Sequence, residues 1–278
     1  MKNDNSKKIE KLSNLLEVEY SRSKEDIWSA MEDKLSAPKK EEKKVIQLNL
    51  RSWAVAASII ILLGIGSFIR FYHEDYSTMA GEQYRVELPD GSMVDLNGQS
   101  SLQFHPYWWK INRSLNFEGE GYFEVEKGKS FSVVSTNGTT TVLGTSFNIY
   151  SRDANYEVNC LTGKVKVKLP GGAQTVITPN QQAKLVNNQL EVTETNAAHS
   201  TEWKDNEFYF TRETIKRVFR EIEIAYSAKI SVEADETTFY SGNFKKTDNI
   251  EDALTIVCNP LNLKFVQLET GTYVIKSN

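Results

Sequence analysis

The chain has 278 residues and a formal net charge of −4, from 33 basic and 37 acidic side chains. A nucleic-acid-binding protein would show a clear basic excess on at least one domain, so this balance argues against direct binding to DNA or RNA. The two cysteines cannot form a disulfide framework, and the three histidines are scattered singly. We therefore expect neither a metal site nor a cofactor. The chain is long enough for two modest domains or one large one.

Residues 1–51 are predicted to form a helical tail that is too short to bury a core of its own. Apolar residues recur at helical spacing at Ile9, Leu12, Leu15 and Leu16. Ser23 is a candidate N-cap for a second helix, which should end at Ala37-Pro38. The apolar stripe of this helix consists of Ile27, Trp28, Met31 and Leu35. Either the two helices pair with each other, or the Trp28 stripe docks into a cytoplasmic partner protein.

An uncharged apolar run extends from Ser52 to Ile69. At about 1.5 Å per residue it would form a helix roughly 27 Å long, close to the ~30 Å hydrocarbon core of a bilayer. We predict one transmembrane helix over residues 52–70; the alternatives are a buried core helix and a cleaved signal peptide. Lysines precede the run at positions 39, 40, 43 and 44. The positive-inside rule therefore places residues 1–51 in the cytoplasm and the rest of the chain outside it.

Residues 82–195 show the two-residue periodicity of β-strands. The turn Pro89–Ser92 separates the first two strands of a hairpin. The predicted strands are Tyr84–Leu88, Met93–Leu96, Leu115–Phe117, Gly121–Glu126, Phe131–Ser135, Thr140–Leu143, Phe147–Tyr150, Tyr156–Cys160, Lys164–Leu169, Thr175–Ile177 and Ala183–Val186. We predict an antiparallel β-sandwich or roll, similar to a jelly roll.

Residues 200–278 return to helical periodicity and predict a small α+β domain of order β-α-β-β-α-β-β. Thr211 is the candidate N-cap of its first helix, and Asp248 with Glu251 suggests a capping box for its second. Two strands should form a closing hairpin around Gly271. We expect both helices to pack on one sheet.

Little in the sequence indicates catalysis. No P-loop, zinc-protease or nucleophile-elbow pattern occurs. Four carboxylates alternate along one stretch, at Glu118, Glu120, Glu124 and Glu126. We favour a solvated strand face for them, because a glycan hydrolase would need two carboxylates facing each other across a cleft. Cys160 and Cys258 are expected to be buried free thiols.

Five segments together resemble the FecR-type transmembrane anti-sigma factors of Gram-negative bacteria. These segments are Leu88–Asn97, Phe117–Val125, Val142–Ile149, Thr162–Val165 and Thr178–Ala183. The sequence departs from the family pattern at Gly121, where alanine is usual, and at Asn180, where glycine is usual. The trailing α+β region is similar to the domain that follows in many members.

The resemblance implies a signal relay across the inner membrane. The tail of such a protein binds an extracytoplasmic-function sigma factor, and its periplasmic part senses the signalling domain of a TonB-dependent outer-membrane receptor. Regulated cleavage by site proteases then frees or activates the sigma factor. The alternative is an envelope adhesion, structural or glycan-binding protein with a β-sandwich domain.

The resemblance also raises the question of self-cleavage. Some family members are thought to cleave themselves at a Gly-Thr pair, and Gly144-Thr145 matches that pair. A strained peptide bond there would let the threonine hydroxyl attack the glycine carbonyl carbon. The other interpretation is an ordinary glycine bulge between two strands.

Overall fold

The computed structural model describes residues 4–13, 22–36, 50–235 and 237–278. It separates into two compact units, of which the first ends at Ala57 and the second begins at Ser58. The first unit contains α1 (Asp4–Ser13), α2 (Lys24–Leu35) and the beginning of α3 (Leu50–Phe71). Some of the predictions fall outside the described residues. They concern the helical positions Leu15 and Leu16 and the lysines at positions 39, 40, 43 and 44, which precede the predicted membrane span.

Helix α2 begins where its sequence predicts. The Ser23 hydroxyl oxygen accepts a hydrogen bond from the Asp26 backbone N–H at 3.1 Å, and the Asp26 carboxylate accepts one from the Ser23 N–H at 3.2 Å. This reciprocal capping box satisfies two N–H groups that a helix start leaves without partners. None of the residues of α2 is buried.

Helix α3 confirms the long apolar helix predicted over residues 52–70. The segment Arg51–Phe71 has a mean hydropathy of 2.1, and none of its most apolar stretch is buried in the structure. This exposure contradicts the alternative of a core helix, whose apolar faces would be covered. Its length and composition suit a membrane span.

Within the described residues, thirteen strands of the second unit form one continuous network, which we call the β-domain (residues 74–194). They are β1 (Glu74–Ser77), β2 (Tyr84–Glu87), β3 (Met93–Leu96), β4 (Ser101–Phe104), β5 (Arg113–Glu124), β6 (Phe131–Ser135), β7 (Gly138–Val142), β8 (Ser146–Arg152), β9 (Asn155–Cys160), β10 (Val165–Lys168), β11 (Gln174–Ile177), β12 (Gln181–Val186) and β13 (Gln189–Glu194). Pairing is antiparallel except between β5 and β6. The jelly-roll-like arrangement stays a prediction.

Strand β5 replaces two predicted strands, Leu115–Phe117 and Gly121–Glu126. Its first half pairs with β4 and its second half with β3 and β8, so it belongs to both halves of the network. Gly119 lies between these halves with a φ of +112°, and a Cβ there would lie 2.3 Å from the Ser100 hydroxyl oxygen. Only glycine therefore lets the strand continue so close to Ser100.

The core of the β-domain is built from the inward-facing residues of these strands. Phe123 packs against Phe117 and Phe147, with ring centroids 5.2 and 5.1 Å apart. Trp109 lies between Phe104 and Phe131 in edge contacts. Each such fully buried side chain contributes about 1.5–3 kcal/mol by leaving water. Cys160 and, in the next domain, Cys258 are buried unpaired thiols, as predicted.

The C-terminal domain (residues 207–278) has the predicted element order. It consists of β14 (Glu207–Thr214), α4 (Ile215–Tyr226), β15 (Lys229–Val232), β16 (Phe239–Lys245), α5 (Ile250–Cys258), β17 (Leu263–Glu269) and β18 (Thr272–Ser277). The expected single sheet is wrong, because β14 and β16 form one sheet and β15, β18 and β17 form another. A 3-10 segment, Ala197–Asp205, connects this domain to the β-domain.

Both predicted helix caps of this domain are wrong by one to three residues. The N-cap of α4 is Thr214 rather than Thr211, since β14 continues to Thr214 through its pairing with β16. The N-cap of α5 is Asn249 rather than Asp248, and its side-chain oxygen accepts from the Glu251 N–H at 3.0 Å. In the first case the pairing of β14 with β16 moves the helix start to Thr214. In the second, the hydrogen bond of the Asn249 side chain to the backbone makes Asn249 the N-cap.

Candidate functional site

The β-domain and the C-terminal domain meet in the second unit along a polar surface, which we call the interdomain interface. Strands β5, β8, β9 and β12 approach helix α4 and strand β14 there. A cavity of about 380 Å³ opens between them, lined by side chains of both domains. Its apolar wall includes Trp203 and Phe208, and its polar wall includes Asn148 and Asn159.

An ion-pair cluster joins the domains at the Glu157 carboxylate of β9. Arg217 of α4 forms a bidentate pair with it, with Nη2 2.9 Å from Oε2, and Lys184 Nζ lies 2.7 Å from Oε1. Burial opposes ionisation of Glu157, but Arg217 and Lys184 outweigh it and hold its pKa at about 2. Glu213 also approaches Arg217, with 3.4 Å between Oε1 and Nη1. The carboxylate is therefore charged at neutral pH and held by cations from two domains.

Tyr150 extends the cluster along α4. Its hydroxyl donates to the Glu221 carboxylate at 2.7 Å, and the Arg217 guanidinium carbon lies 4.1 Å from its ring centroid. Burial raises the pKa of Tyr150 well above its usual range, so the phenol keeps the proton that it donates. Helix α4 thus contacts Tyr150 twice: Arg217 packs on its ring, and Glu221 accepts a hydrogen bond from its hydroxyl.

Glu120 of β5 lies where the two domains meet, which contradicts the solvated face that we expected for it. Its carboxylate accepts hydrogen bonds from the side-chain amides of Asn97 at 2.8 Å and Asn148 at 3.2 Å. Burial, followed by the nearby charge of Glu221, raises its pKa to about 7. The charge of the Glu120 carboxylate therefore changes near neutral pH.

Backbone contacts fix the C-terminal end of α4 against the β-domain. The Gly81 N–H donates to the Ile224 carbonyl oxygen at 2.7 Å. A Cβ on Gly98 would lie 2.9 Å from the Ile224 side chain, so glycine permits this close approach. Arg220 Nη2 donates to the Gln99 side-chain oxygen at 3.0 Å.

Many charged groups of the interdomain interface are paired with one another. They are carboxylates, guanidinium and ammonium groups, which hold surfaces together. No cluster of three or more His, Cys, Asp and Glu side chains suited to a metal ion occurs in the part of the chain that the structure describes.

The predicted tail residues lie on α2 in the first unit. Ile27, Trp28, Met31 and Leu35 are all exposed, Trp28 by 62% and Leu35 by 71%. Their spacing places them on one face, as the sequence predicts. What this face binds stays a prediction.

The predicted self-cleavage pair lies in the connection between β7 and β8. Gly144 has a φ of +149°, and a Cβ there would lie 2.7 Å from the Cα of Lys127. Thr145 is only 5% exposed, and its hydroxyl oxygen has no hydrogen-bond partner among the described groups. Self-cleavage and the glycine bulge both stay predictions.

Sequence reasoning missed the ion-pair cluster because its members are distant in the chain and lack a motif. Glu157 and Arg217 are each an ordinary charged residue of an amphipathic element. The amphipathic pattern of α4 accounts only for the apolar face that packs inside its own domain. The one signal for the opposite face is Ile224, an apolar residue on the same side as Arg217 and Glu221.

Two protein-family profiles match these domains. The profile of the family described as FecR protein matches residues 74–166, and that described as FecR, C-terminal, matches residues 207–275. The chain belongs to the FecR family. No curated protein matched this FecR-family chain.

Two crystal structures of a proposed anti-sigma factor from Parabacteroides distasonis ATCC 8503 are similar to this FecR-family chain. The structure at 2.50 Å resolution has a TM-score of 0.70 and 25% identity, over 74% of this chain and 100% of the other. The structure at 1.65 Å has a TM-score of 0.69 and 25% identity, over 74% and 99%. Family and neighbours together support an anti-sigma factor role.

Proposed function

We propose that this FecR-family protein is a single-pass inner-membrane anti-sigma factor whose α2 binds an extracytoplasmic-function sigma factor in the cytoplasm. Its β-domain and C-terminal domain then lie in the periplasm. Family membership favours this role over an envelope adhesion or glycan-binding protein. The observation that carries the proposal is the apolar stripe of α2.

The stripe combines a stable helix start with an uncovered apolar face. The capping box of Ser23 and Asp26 favours the helix before any partner arrives, which lowers the ordering cost of binding. Trp28 is a large amphipathic side chain of the kind that dominates binding free energies at protein interfaces. An exposed stripe of this type fits the groove of a partner protein.

The test is binding of the full chain, in lipid nanodiscs, to each extracytoplasmic-function sigma factor of the same cell. Trp28→Ala should weaken binding to one of them by about 5- to 150-fold, equivalent to about 1–3 kcal/mol. Asp33→Ala, on the opposite face of α2, is the matched control and should bind as the wild type does. Failure of the wild-type chain to bind any of these sigma factors would refute the proposal.

We also propose that the C-terminal domain receives the signal from the signalling domain of a TonB-dependent receptor, before site proteases cut the chain. Strand β17 pairs on one edge only among the described strands, with β18, and its Leu268 is exposed. An uncovered strand edge favours addition of a partner strand. The exposed Ile256 on α5 offers the alternative, packing against a helix.

Two lysine substitutions separate these modes in a binding assay with the purified receptor domain. Leu268→Lys places a charge at the strand edge and should abolish strand addition, whereas Ile256→Lys should leave it intact. The opposite result indicates helix packing. If both variants bind as the wild type does, the C-terminal domain is not the receptor contact.

A third proposal concerns the connection at Gly144-Thr145. Attack of the Thr145 hydroxyl oxygen on the Gly144 carbonyl carbon would form an ester and free the Thr145 amine, and water would then hydrolyse the ester. The positive φ of Gly144 and the unpartnered Thr145 hydroxyl favour it. Thr145→Ser should still yield a fragment that begins at residue 145, and Thr145→Ala should not. A single intact chain in the wild type and in both variants would rule self-cleavage out.

A further inference from the structure

The end of α3 contacts a loop of the β-domain, residues 105–112, which follows β4. The Nδ1 atom of His105 lies 2.9 Å from the carbonyl oxygen of Tyr72, just past the helix end. The Tyr107 ring lies 5.3 Å from the Tyr72 ring and 5.9 Å from the Phe68 ring, centroid to centroid. The loop is therefore packed against the last turn of α3.

A cation from the helix completes this contact. The guanidinium carbon of Arg70 lies 5.3 Å from the ring centroid of Trp108. Arg70 is also the first charged residue after the uncharged run of α3. Tryptophan, tyrosine and arginine side chains are the groups that concentrate at the boundary between hydrocarbon and water.

The outer side of the loop is apolar and open. Tyr107 is 56% exposed and Ile111 is 66% exposed, and the exposed Lys110 lies beside them. Trp109, by contrast, is buried between Phe104 and Phe131 in the core. The loop is thus anchored from inside, and its exposed apolar groups are held at the surface.

The position of the loop along the membrane normal follows from α3. The 22 residues of α3 span about 33 Å, slightly more than the ~30 Å hydrocarbon core. Its last turn therefore lies at the headgroup level if α3 crosses the bilayer. Only Tyr72 and His73 separate α3 from β1, so the β-domain has little freedom to move away.

We propose that the 105–112 loop is a second membrane contact, with Tyr107 and Ile111 in the interfacial region of a phospholipid bilayer and Lys110 among anionic headgroups. This rests on the membrane span in the proposed function. The loop holds the β-domain in a fixed orientation on the bilayer surface, as interfacial apolar residues do in other membrane-bound proteins. A free surface loop would instead leave this apolar side in water.

The test uses the full chain in vesicles of phosphatidylethanolamine and phosphatidylglycerol. Nitroxide labels are placed through Tyr107→Cys, Ile111→Cys, Ile61→Cys within α3 and Val176→Cys on β11, a site that is exposed and distant in sequence. Cys160 and Cys258 are buried, so mild labelling should favour the introduced thiols. Relaxation by oxygen, which partitions into lipid, is compared with relaxation by a water-soluble nickel chelate.

The labels at positions 107 and 111 should show an oxygen-to-nickel ratio at least about threefold above that at position 176, and below that at position 61. Ile111→Cys carries the test if Tyr107→Cys disturbs the ring contacts. A lipid-like ratio at position 61 with a water-like ratio at 111 would overturn the loop contact and leave the span intact. A water-like ratio at position 61 would overturn the span itself and the loop contact with it.

Discussion

Two glutamates of the interdomain interface show how neighbouring groups decide the charge of one residue type. Glu157 and Glu120 both lie where the β-domain meets the C-terminal domain. Arg217 and Lys184 lower the pKa of Glu157 to about 2. Burial and the charge of Glu221 raise the pKa of Glu120 to about 7. The first carboxylate therefore fixes the interface, and the second makes it sensitive to pH.

Glu120 should make the folded state less stable as the pH rises. The folded pKa of about 7 lies above the ordinary value of 4.5, so the folded chain keeps a proton that the unfolded chain releases. This contribution is fully present below pH 4.5 and is lost as the pH rises through 7. Because Glu120 borders the cavity, solvent screening reduces the effect, and we expect about 2 kcal/mol between pH 5 and pH 8.

Glu120→Gln removes the titrating group and should flatten this pH dependence. The measurement is denaturant unfolding of the full chain in detergent at pH 5, 6, 7 and 8. Glu87→Gln, on the exposed side of β2, is the matched control and should keep the wild-type slope. Equal slopes for wild type and Glu120→Gln would show that Glu120 does not carry the effect.

The sequence reveals the motif in which Glu120 lies but not its environment. Alternation places Glu118, Glu120 and Glu124 on the same side of a strand, and such a pattern usually marks a solvated face. What covers Glu120 comes from Asn97, Asn148 and α4, which are 23 or more residues away. A two-residue period reports which side a residue faces, and it cannot report which distant element covers that side.

At the scale of elements, α2 shows a local signal that the structure confirms. The prediction from Ser23 held because a capping box needs only four consecutive residues. Ser23→Ala removes the acceptor for the Asp26 N–H and should destabilise the helix by about 1 kcal/mol. If α2 must be helical to bind, affinity for the sigma factor should fall by about fivefold.

Ser23→Asp is the matched control, since aspartate is an equally good N-cap. It should bind as the wild type does. Because other helices and strands dominate the circular dichroism of the full chain, that spectrum does not report the helicity of α2. Amide hydrogen exchange of residues 24–35 is the direct measurement. Faster exchange in Ser23→Ala with unchanged affinity would mean that binding does not depend on preformed helix.

Elements whose limits depend on tertiary pairing were predicted less well. In place of β5 we predict two strands, Leu115–Phe117 and Gly121–Glu126, one on each side of Gly119, and glycine within a strand usually weakens it. The structure continues the strand because Ser100 leaves no room for a side chain there. Strands β1, β4 and β13 were missed, since four to six residues with mixed polarity carry too little periodicity to stand out.

At the scale of the molecule, the sequence does not predict the interface between the β-domain and the C-terminal domain. Periodicity predicted each domain, and the motifs predicted their family. The contacts between them depend on pairs such as Tyr150 with Glu221, which are 71 residues apart. Such pairs are set by how folded surfaces fit together.

The union of the domains should depend on Arg217. Arg217→Met leaves the buried Glu157 carboxylate with Lys184 alone, and loss of one partner from a buried pair costs about 3–5 kcal/mol. We expect the two domains to separate more often, with faster amide exchange in β9 and α4 and unchanged exchange in β6 of the core. In the wild type, the stabilisation from Glu157 is present above pH 4.5 and is lost as the pH falls toward 2, because its folded pKa is depressed.

The double variant Arg217→Met with Glu157→Gln tells the two explanations for this loss apart. It removes the unpaired charge along with the cation, so exchange in β9 should return toward the wild-type rate if the buried carboxylate is the cause. If the double variant exchanges as fast as Arg217→Met, the packing of Arg217 on Tyr150 holds the domains together instead. Unchanged exchange in Arg217→Met would refute the role of this ion pair.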